Sequence, residues 1–218
     1  MRDWVIAIDG PAGAGKSTVA RLLADRLGYV YLDSGAMYRC VGLLALRGGI
    51  SPDEMTTLAE SAQIAFDPGA VGEAQKVLLA GEEVTVAIRT PEVSQLASKV
   101  ATVPGVRRAM VALQQAMGAA GGVVMEGRDI GTVVFPEAEL KVFLTASPEE
   151  RARRRHAELI ARGEELDYAT VLAEQKERDL RDATRETSPL IAAPDALVYI
   201  SDGKSVDEIV AELASRVK

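Results

Sequence analysis

The feature that most constrains this chain is Gly10-Pro11-Ala12-Gly13-Ala14-Gly15-Lys16-Ser17, a G-x-x-x-x-G-K-[ST] pattern with Thr18 following. An apolar run, Trp4 to Asp9, leads into it, and an amphipathic segment, Lys16 to Leu27, follows. That strand–loop–helix context is what lets glycine-rich backbone turn its N–H groups around phosphate oxygens, with the helix N-terminus adding its positive dipole end. Lys16 is predicted to reach the β- and γ-phosphates of a nucleotide, and the Ser17 hydroxyl to ligate Mg²⁺. The alternative is a glycine-rich turn without a ligand.

Four more apolar runs read as buried parallel strands: Tyr29 to Leu32, Gly122 to Glu126, Leu140 to Thr145 and Ala196 to Ile200. Helical patterns separate them. Lys16 to Leu27 stops at Gly28, Ala36 to Arg47 stops at Gly48-Gly49, and Glu92 to Met117 holds one or two helices. Ser147-Pro148-Glu149-Glu150 is a helix start with Ser147 as N-cap, and Val206 to Val217 closes the chain. The alternation predicts a three-layer α/β fold with a five-stranded parallel sheet. It breaks between Gln63 and Arg89. There Ile64-Ala65-Phe66, Val77-Leu78-Leu79, a Gly81-Glu82-Glu83 turn and Val84-Thr85-Val86 predict a small antiparallel sheet, an insert able to move apart from the core.

Bulk properties narrow the function. The 218 residues, 48% hydrophobic, suit one globular domain. No apolar run reaches the roughly 18 residues of a membrane span, and Met1 to Ile8 lacks the basic segment of an export signal. Cys40 is the sole cysteine and His156 the sole histidine, which excludes an intrachain disulfide and a zinc cluster and points to a cytoplasmic setting. A net charge of −7 argues against a nucleic-acid partner, whereas Arg151 to Arg155 and Arg178, Arg181 and Arg185 concentrate positive charge locally, as a small anionic ligand requires. The absence of asparagine rules out the N-K-x-D segment with which a GTPase reads guanine. A compact arginine-rich chain of this kind points to a phosphotransferase with a small acceptor, because phosphoryl transfer is mostly positioning and charge stabilisation.

Asp9 to Thr18, Leu32-Asp33-Ser34-Gly35-Ala36-Met37-Tyr38-Arg39, Ile88-Arg89-Thr90-Pro91-Glu92-Val93, Glu126-Gly127-Arg128-Asp129-Ile130-Gly131-Thr132-Val133-Val134-Phe135-Pro136 and Glu177-Arg178-Asp179 follow in order. Together they resemble the bacterial cytidylate kinases over nearly the whole chain. The resemblance implies a nucleoside monophosphate kinase core that phosphorylates CMP and dCMP with Mg-ATP, with a monophosphate-binding insert at about 63–92 and a short lid at about 150–168. It implies ATP contacts from Gly10, Pro11, Ala12, Gly13, Ala14, Gly15, Lys16, Ser17 and Thr18, with Arg154 and Arg155 closing over the phosphates. Arg39, Arg128 and Arg185 would hold the acceptor phosphate, with Ser34 nearby. Asp129 would accept from the cytosine amino group, Ser98 and Arg107 would complete the base site, and Asp182 would take the sugar hydroxyls. Lys16, Arg128, Arg178 and Arg185 would carry the charge of the transfer, and the protein would act as a monomer.

Each assignment has a plainer alternative on the residues alone. Arg39 would complement a helix dipole, Arg128-Asp129 would be an exposed turn pair, and Ser98 and Arg107 would be surface residues on ordinary helices. Arg178, Arg181 and Arg185, at spacings of three and four, would be a solvated face paired with Glu177 and Asp182. Asp33 and Glu126 are candidates for orienting Mg²⁺-bound water, although the family commonly has Asp in place of Glu126. A kinase for another small acceptor, and a nucleotide-dependent switch, remain open at this stage.

Overall fold

The computed structural model describes residues 3–50, 54–67, 75–161, 163–185 and 187–217. In chain order the elements are β1 (Val5–Asp9), α1 (Lys16–Leu27), β2 (Val30–Asp33), α2 (Ser34–Gly48), α3 (Met55–Ser61), β3 (Ile64–Asp67), β4 (Lys76–Leu79), β5 (Glu82–Glu83), α4 (Pro91–Val100), α5 (Pro104–Gly118), β6 (Val123–Gly127), β7 (Leu140–Thr145), α6 (Pro148–Ala161), α7 (Tyr168–Thr184), β8 (Leu197–Ile200) and α8 (Val206–Ala214). A 3₁₀ turn covers Ala87–Arg89 and a π turn covers Ile130–Val134. The parallel sheet has five strands in the order β2-β6-β1-β7-β8, and β3-β4-β5 form a separate antiparallel sheet. Two units can be distinguished: the chain up to Tyr29 together with everything from Gly121 onward, and the stretch from Val30 to Ala120.

The first unit is built around β1, all five of whose side chains are buried. It pairs with β6 on one side (Ile6 opposite Val124, Asp9 opposite Gly127) and with β7 on the other (Ile8 opposite Val142). A strand flanked on both edges and covered on both faces reads as the continuous apolar run seen in the sequence. At the sheet margin β8 pairs only with β7, and its Val198 and Ile200 are exposed while Tyr199 is buried. α1 packs on β6 and on α8. Ser147 caps α6 as expected, its Oγ accepting from Glu150 N at 3.3 Å and donating to Asp202 Oδ1 at 2.6 Å.

The second unit has its own core, in which Met37, Cys40 and Val41 of α2, Ile88 of the 3₁₀ turn, Val93 and Val100 of α4, and Val106 and Met110 of α5 are buried. α2 and α4 lie close because Gly42 presents no side chain; a Cβ there would sit 3.1 Å from Ala97 N and 3.2 Å from Val93 O. The predicted region 92–117 resolves into two helices, each with proline near its start, and Thr90 caps α4 by accepting from Val93 N at 3.3 Å.

The antiparallel sheet differs from expectation in its third strand. Ala80 and Gly81, at φ 50° and 82°, make the turn by themselves, so the chain returns at once and Glu82–Glu83, expected as turn, become β5. Val84 then drops into the core at 1% exposure instead of continuing a strand, and Val86 is 83% exposed. Residues 68–74 of the expected insert lie outside the described residues. Helix α3 was not anticipated, since its seven residues carry only two buried side chains, Met55 and Ala59. Among the described residues no helix is long and apolar enough to cross a membrane.

Gly10 is the tightest point of the first unit: at φ 145°, a Cβ on it would lie 1.9 Å from Leu144 O. Gly10→Ala is therefore expected to cost about 3 kcal/mol or more, read as a fall in unfolding midpoint by thermal or urea denaturation. A midpoint equal to that of the native protein would contradict the close approach.

Candidate active site

Asp9 ends β1, and the chain turns through Gly10 to Gly15 before α1 begins at Lys16. Gly13 and Gly15 have φ of 74° and 89°, and Gly15 is the N-cap of α1 with no side chain to satisfy the helix amides. Those donors and the helix dipole suit this end of α1 to an anion such as phosphate. Lys16 is only 6% exposed, and its Nζ donates to Pro11 O at 2.9 Å across the loop. Burial pushes its ammonium down to about 7, the neighbouring Arg128 and Arg178 charges add to the effect, and Glu126 and Asp9 oppose it. A cation so desolvated gains strongly from an anionic ligand. Ser17 and Thr18 are exposed in the first turn of α1.

The loop is held from outside by α6 and α7. The carbonyl of Ala12 accepts from Arg151 Nη1 at 3.1 Å and from Gln175 Nε2 at 2.9 Å. Arg151, 4% exposed, also donates to Ala146 O at 3.0 Å and grips Asp179 with both terminal nitrogens at 3.1 and 2.6 Å. Arg154 donates to Ala14 O at 3.4 Å, to Ser201 Oγ at 3.1 Å and to Glu150 at 2.9 Å. Arg154 thus stands against the loop, bonded to its backbone. Arg155 pairs along its own helix with Glu158 at 3.3 Å, its side chain 42% exposed. Sequence reasoning missed Arg151 and Gln175 as loop supports. The basic run and Glu177-Arg178-Asp179 marked their neighbourhood, but nothing local tells a buried arginine from a solvated one.

At the end of β6 comes Gly127-Arg128-Asp129. Arg128 Nε donates to Asp182 Oδ2 at 3.0 Å and Nη1 to Gly127 O at 3.3 Å. Asp129 is 5% exposed and Glu126 4%, so this segment is not an exposed turn pair. Asp9 accepts from Ile130 N at 2.8 Å and Gly131 N at 2.7 Å. Burial pushes the Asp9 carboxyl up to about 6, against the pull of those amides. The three-arginine face is not continuous. Helix α7 ends at Thr184, so Arg185 lies beyond it as its C-cap, in extended backbone, with Nε donating to Ser188 O. Arg181 pairs with Glu177 at 2.9 Å and is half exposed, the solvated alternative realised. Arg178 is exposed, yet its charge is felt at Lys16.

In the second unit, Asp33 Oδ1 caps α2 by accepting from Ala36 N at 2.9 Å, while Oδ2 pairs with Arg39 Nη2 at 2.7 Å. Arg39 stands within α2, in its second turn, and so does not complement a helix C-terminus. Ser34 is buried at the start of α2. Arg107 is no surface residue: at 3% exposure its guanidinium lies 5.9 Å from the centre of the Tyr38 ring and donates to Ala101 O at 3.5 Å. Ser98, half-buried on α4, donates to Ser94 O at 3.4 Å. Among the described residues no group of three or more His, Cys, Asp or Glu is set to hold a metal ion. The exposed Ser17 hydroxyl at the loop suits an ion bound mainly by phosphate oxygens and water, which is how Mg²⁺ is usually held beside nucleotides.

A parallel α/β sheet, a glycine-rich loop after its central strand and a cation buried beside that loop define a P-loop phosphotransferase. The sequence model of the family described as cytidylate kinase matches residues 6–218. The cytidylate kinase of Solibacter usitatus is 53% identical over 210 residues, covering 94% of this chain and 88% of its own. That of Carboxydothermus hydrogenoformans is 53% identical over 211 residues, covering 95% and 94%. The chain belongs to the cytidylate kinase family. A crystal structure of an uncharacterized protein from Eubacterium ventriosum aligns over 99% of this chain and 97% of its own with a TM-score of 0.52 at 13% identity, a likeness of fold.

If Gln175 and Arg151 set the loop geometry through Ala12, Gln175→Ala should raise KM for Mg-ATP by about three- to tenfold, the loss of one buried hydrogen bond. Steady-state kinetics beside a melting curve checks this; an unchanged KM would show that Arg151 holds the carbonyl alone.

Proposed function

We propose that this protein transfers the γ-phosphoryl group of ATP to the phosphate of CMP and dCMP, giving CDP and dCDP with ADP. Membership of the cytidylate kinase family supports the reaction. The observation that carries the chemistry is the buried Lys16 ammonium beside the loop, with Arg128 close enough to depress it further. A buried ammonium with a second cation near it gains from concentrated negative charge, which the phosphates of two nucleotides supply.

An oxygen of the CMP phosphate attacks the γ-phosphorus in line, a new P–O bond forms, the bond to the β-bridging oxygen breaks, and ADP departs with the electron pair. No side chain need remove a proton, because a phosphate monoester with a second pKa of about 6 is already largely ionised at neutral pH. Lys16, Arg128, Arg178 and Arg185 spread the charge of the moving group, and the loop amides hold the ATP phosphates. The Ser17 hydroxyl would hold Mg²⁺, which would supply further neutralisation of the nucleotide's phosphate charge. Arg39 with Ser34 would take acceptor phosphate oxygens, Asp182 the sugar hydroxyls, and Asp129 the cytosine amino group, with Ser98 and Arg107 donating to the base's acceptors. Residues 63–92 would act as the acceptor-binding insert and 150–168 as a lid that excludes water, a competing acceptor. We read the protein as a cytoplasmic monomer working on free nucleotides, in keeping with its net charge of −7.

Initial rates of ADP formation with CMP, dCMP, UMP, AMP, GMP and shikimate test the reading. CMP and dCMP are expected to lead. UMP presents a carbonyl to Asp129 and would lose on the order of 1–3 kcal/mol. Comparable rates with AMP and CMP would overturn the base assignment. Lys16→Met should cut turnover at least about 100-fold for every acceptor, as removal of a charge-stabilising donor does elsewhere; turnover within a few-fold of the native rate would remove Lys16 from the chemistry.

A further inference from the structure

Asp33 ends β2 and is the N-cap of α2, and both of its oxygens are in use: Oδ1 accepts from Ala36 N at 2.9 Å and Oδ2 from Arg39 Nη2 at 2.7 Å. A carboxylate that gave both oxygens to Arg39 would make a two-point fork, as Asp179 does with Arg151 at 3.1 and 2.6 Å. Here the cap takes one of them. Arg39 is held at a single nitrogen, and its Nε is buried without a hydrogen-bond partner among the described residues. Arg151 shows what a supporting arginine looks like in this protein: four hydrogen bonds at 4% exposure. Arg39 differs, with 24% of its side chain exposed and most of its donors unused among the described residues. A buried donor left unpaired costs free energy, which a residue kept only for support would not bear.

Gly35 shapes the same spot. It lies in the first turn of α2, and a Cβ on it would sit 3.0 Å from Asp33 Oδ1 and 3.1 Å from Arg39 Nη1. The guanidinium therefore folds back over the first turn of its own helix, beside the place where a side chain at Gly35 would stand. A cation at that end works against the helix dipole, so the placement gains from a second anion next to Asp33. We infer that Asp33 and Gly35 are positioning residues for the acceptor phosphate: Asp33 fixes Arg39 through one nitrogen, Gly35 leaves the guanidinium room to lie over the helix start, and Arg39 is set in place before the acceptor arrives. On this assignment Asp33 serves the acceptor and not the metal-bound water for which its residue type made it a candidate.

Both roles rest on Arg39 binding the acceptor phosphate, as proposed above, so Arg39→Met is measured beside Gly35→Ala and Asp33→Asn. For each, KM for CMP, KM for ATP, the Mg²⁺ concentration giving half-maximal rate and the unfolding midpoint are read. Gly35→Ala leaves every charge in place and brings in a better helix former, yet crowds the guanidinium. It is expected to raise KM for CMP about tenfold, the scale of one hydrogen bond to a charged group, with KM for ATP changed less than about threefold and the midpoint kept. Asp33→Asn caps as well as aspartate but sets an amide against Arg39. Its KM for CMP should rise about threefold, less than in Gly35→Ala because the lost charge no longer repels the phosphate, with the Mg²⁺ requirement native. Arg39→Met should raise KM for CMP at least about tenfold; a native value there would remove Arg39 from the acceptor site, and the reading both roles stand on would fall. A raised KM in Arg39→Met with a native KM in Gly35→Ala would overturn the positioning alone. KM for CMP and ATP rising together with a lowered midpoint in Gly35→Ala would make Gly35 a support of the fold and nothing more. A shifted Mg²⁺ requirement in Asp33→Asn with native KM for CMP would assign Asp33 to the metal, and a KM for CMP below native would make it a competitor for Arg39; either result contradicts the inference.

Discussion

The first unit depends on the approach of Gly10 to the carbonyl of Leu144, which leaves no space for a side chain. It lets the chain leave β1 while still pressed against β7, so the phosphate loop starts at the sheet rather than above it. The sheet's rigidity is thereby passed to the loop, because β1 is fixed on both edges and cannot shift without breaking two ladders. Every later feature of the donor site is built on that start: the positive φ values at Gly13 and Gly15, the uncapped end of α1, and Lys16 folded back onto Pro11.

Charge then does what packing alone does not. Although the chain carries a net −7, cations collect around the loop: Lys16 inside, Arg151 and Arg154 on its carbonyls, Arg128 close by. Arg151 has its own aspartate, so its cost of burial is offset and it serves as scaffold. Lys16 rests on a neutral carbonyl with its ammonium depressed, the state of a group that improves when a phosphate arrives. The same chemical class of side chain is thus divided, by what stands opposite it, between a clamp with its own counter-charge and a buried ammonium without a paired carboxylate bond.

Much of this was legible beforehand. The five strands lie within about two residues of their expected bounds, because buried parallel strands are short apolar runs and little else in the chain is. The glycine pattern located the loop between β1 and α1 for the same reason: only a few residue types fit such backbone. What was not legible depends on distant partners. Ala80 in positive φ moved the third antiparallel strand into Glu82–Glu83, against its type. Arg185 continues the helical spacing of Arg178 and Arg181, but the helix stops one residue earlier. Arg107, which on the residues alone would be surface, is buried against Tyr38, and Arg151, expected only as part of a run of local positive charge, is a buried clamp. Asp9 was read as the end of a strand; its partners stand more than a hundred residues away, where no local pattern reaches.

The central claim is direct transfer from ATP to the phosphate of CMP in a protected site, and following the labelled phosphoryl group tests it most directly. With ATP labelled at the γ-position and CMP as acceptor, the account predicts that the label appears in the β-phosphate of CDP, one label for each ADP formed, with little free phosphate. Label released as inorganic phosphate at a rate indifferent to CMP would contradict it.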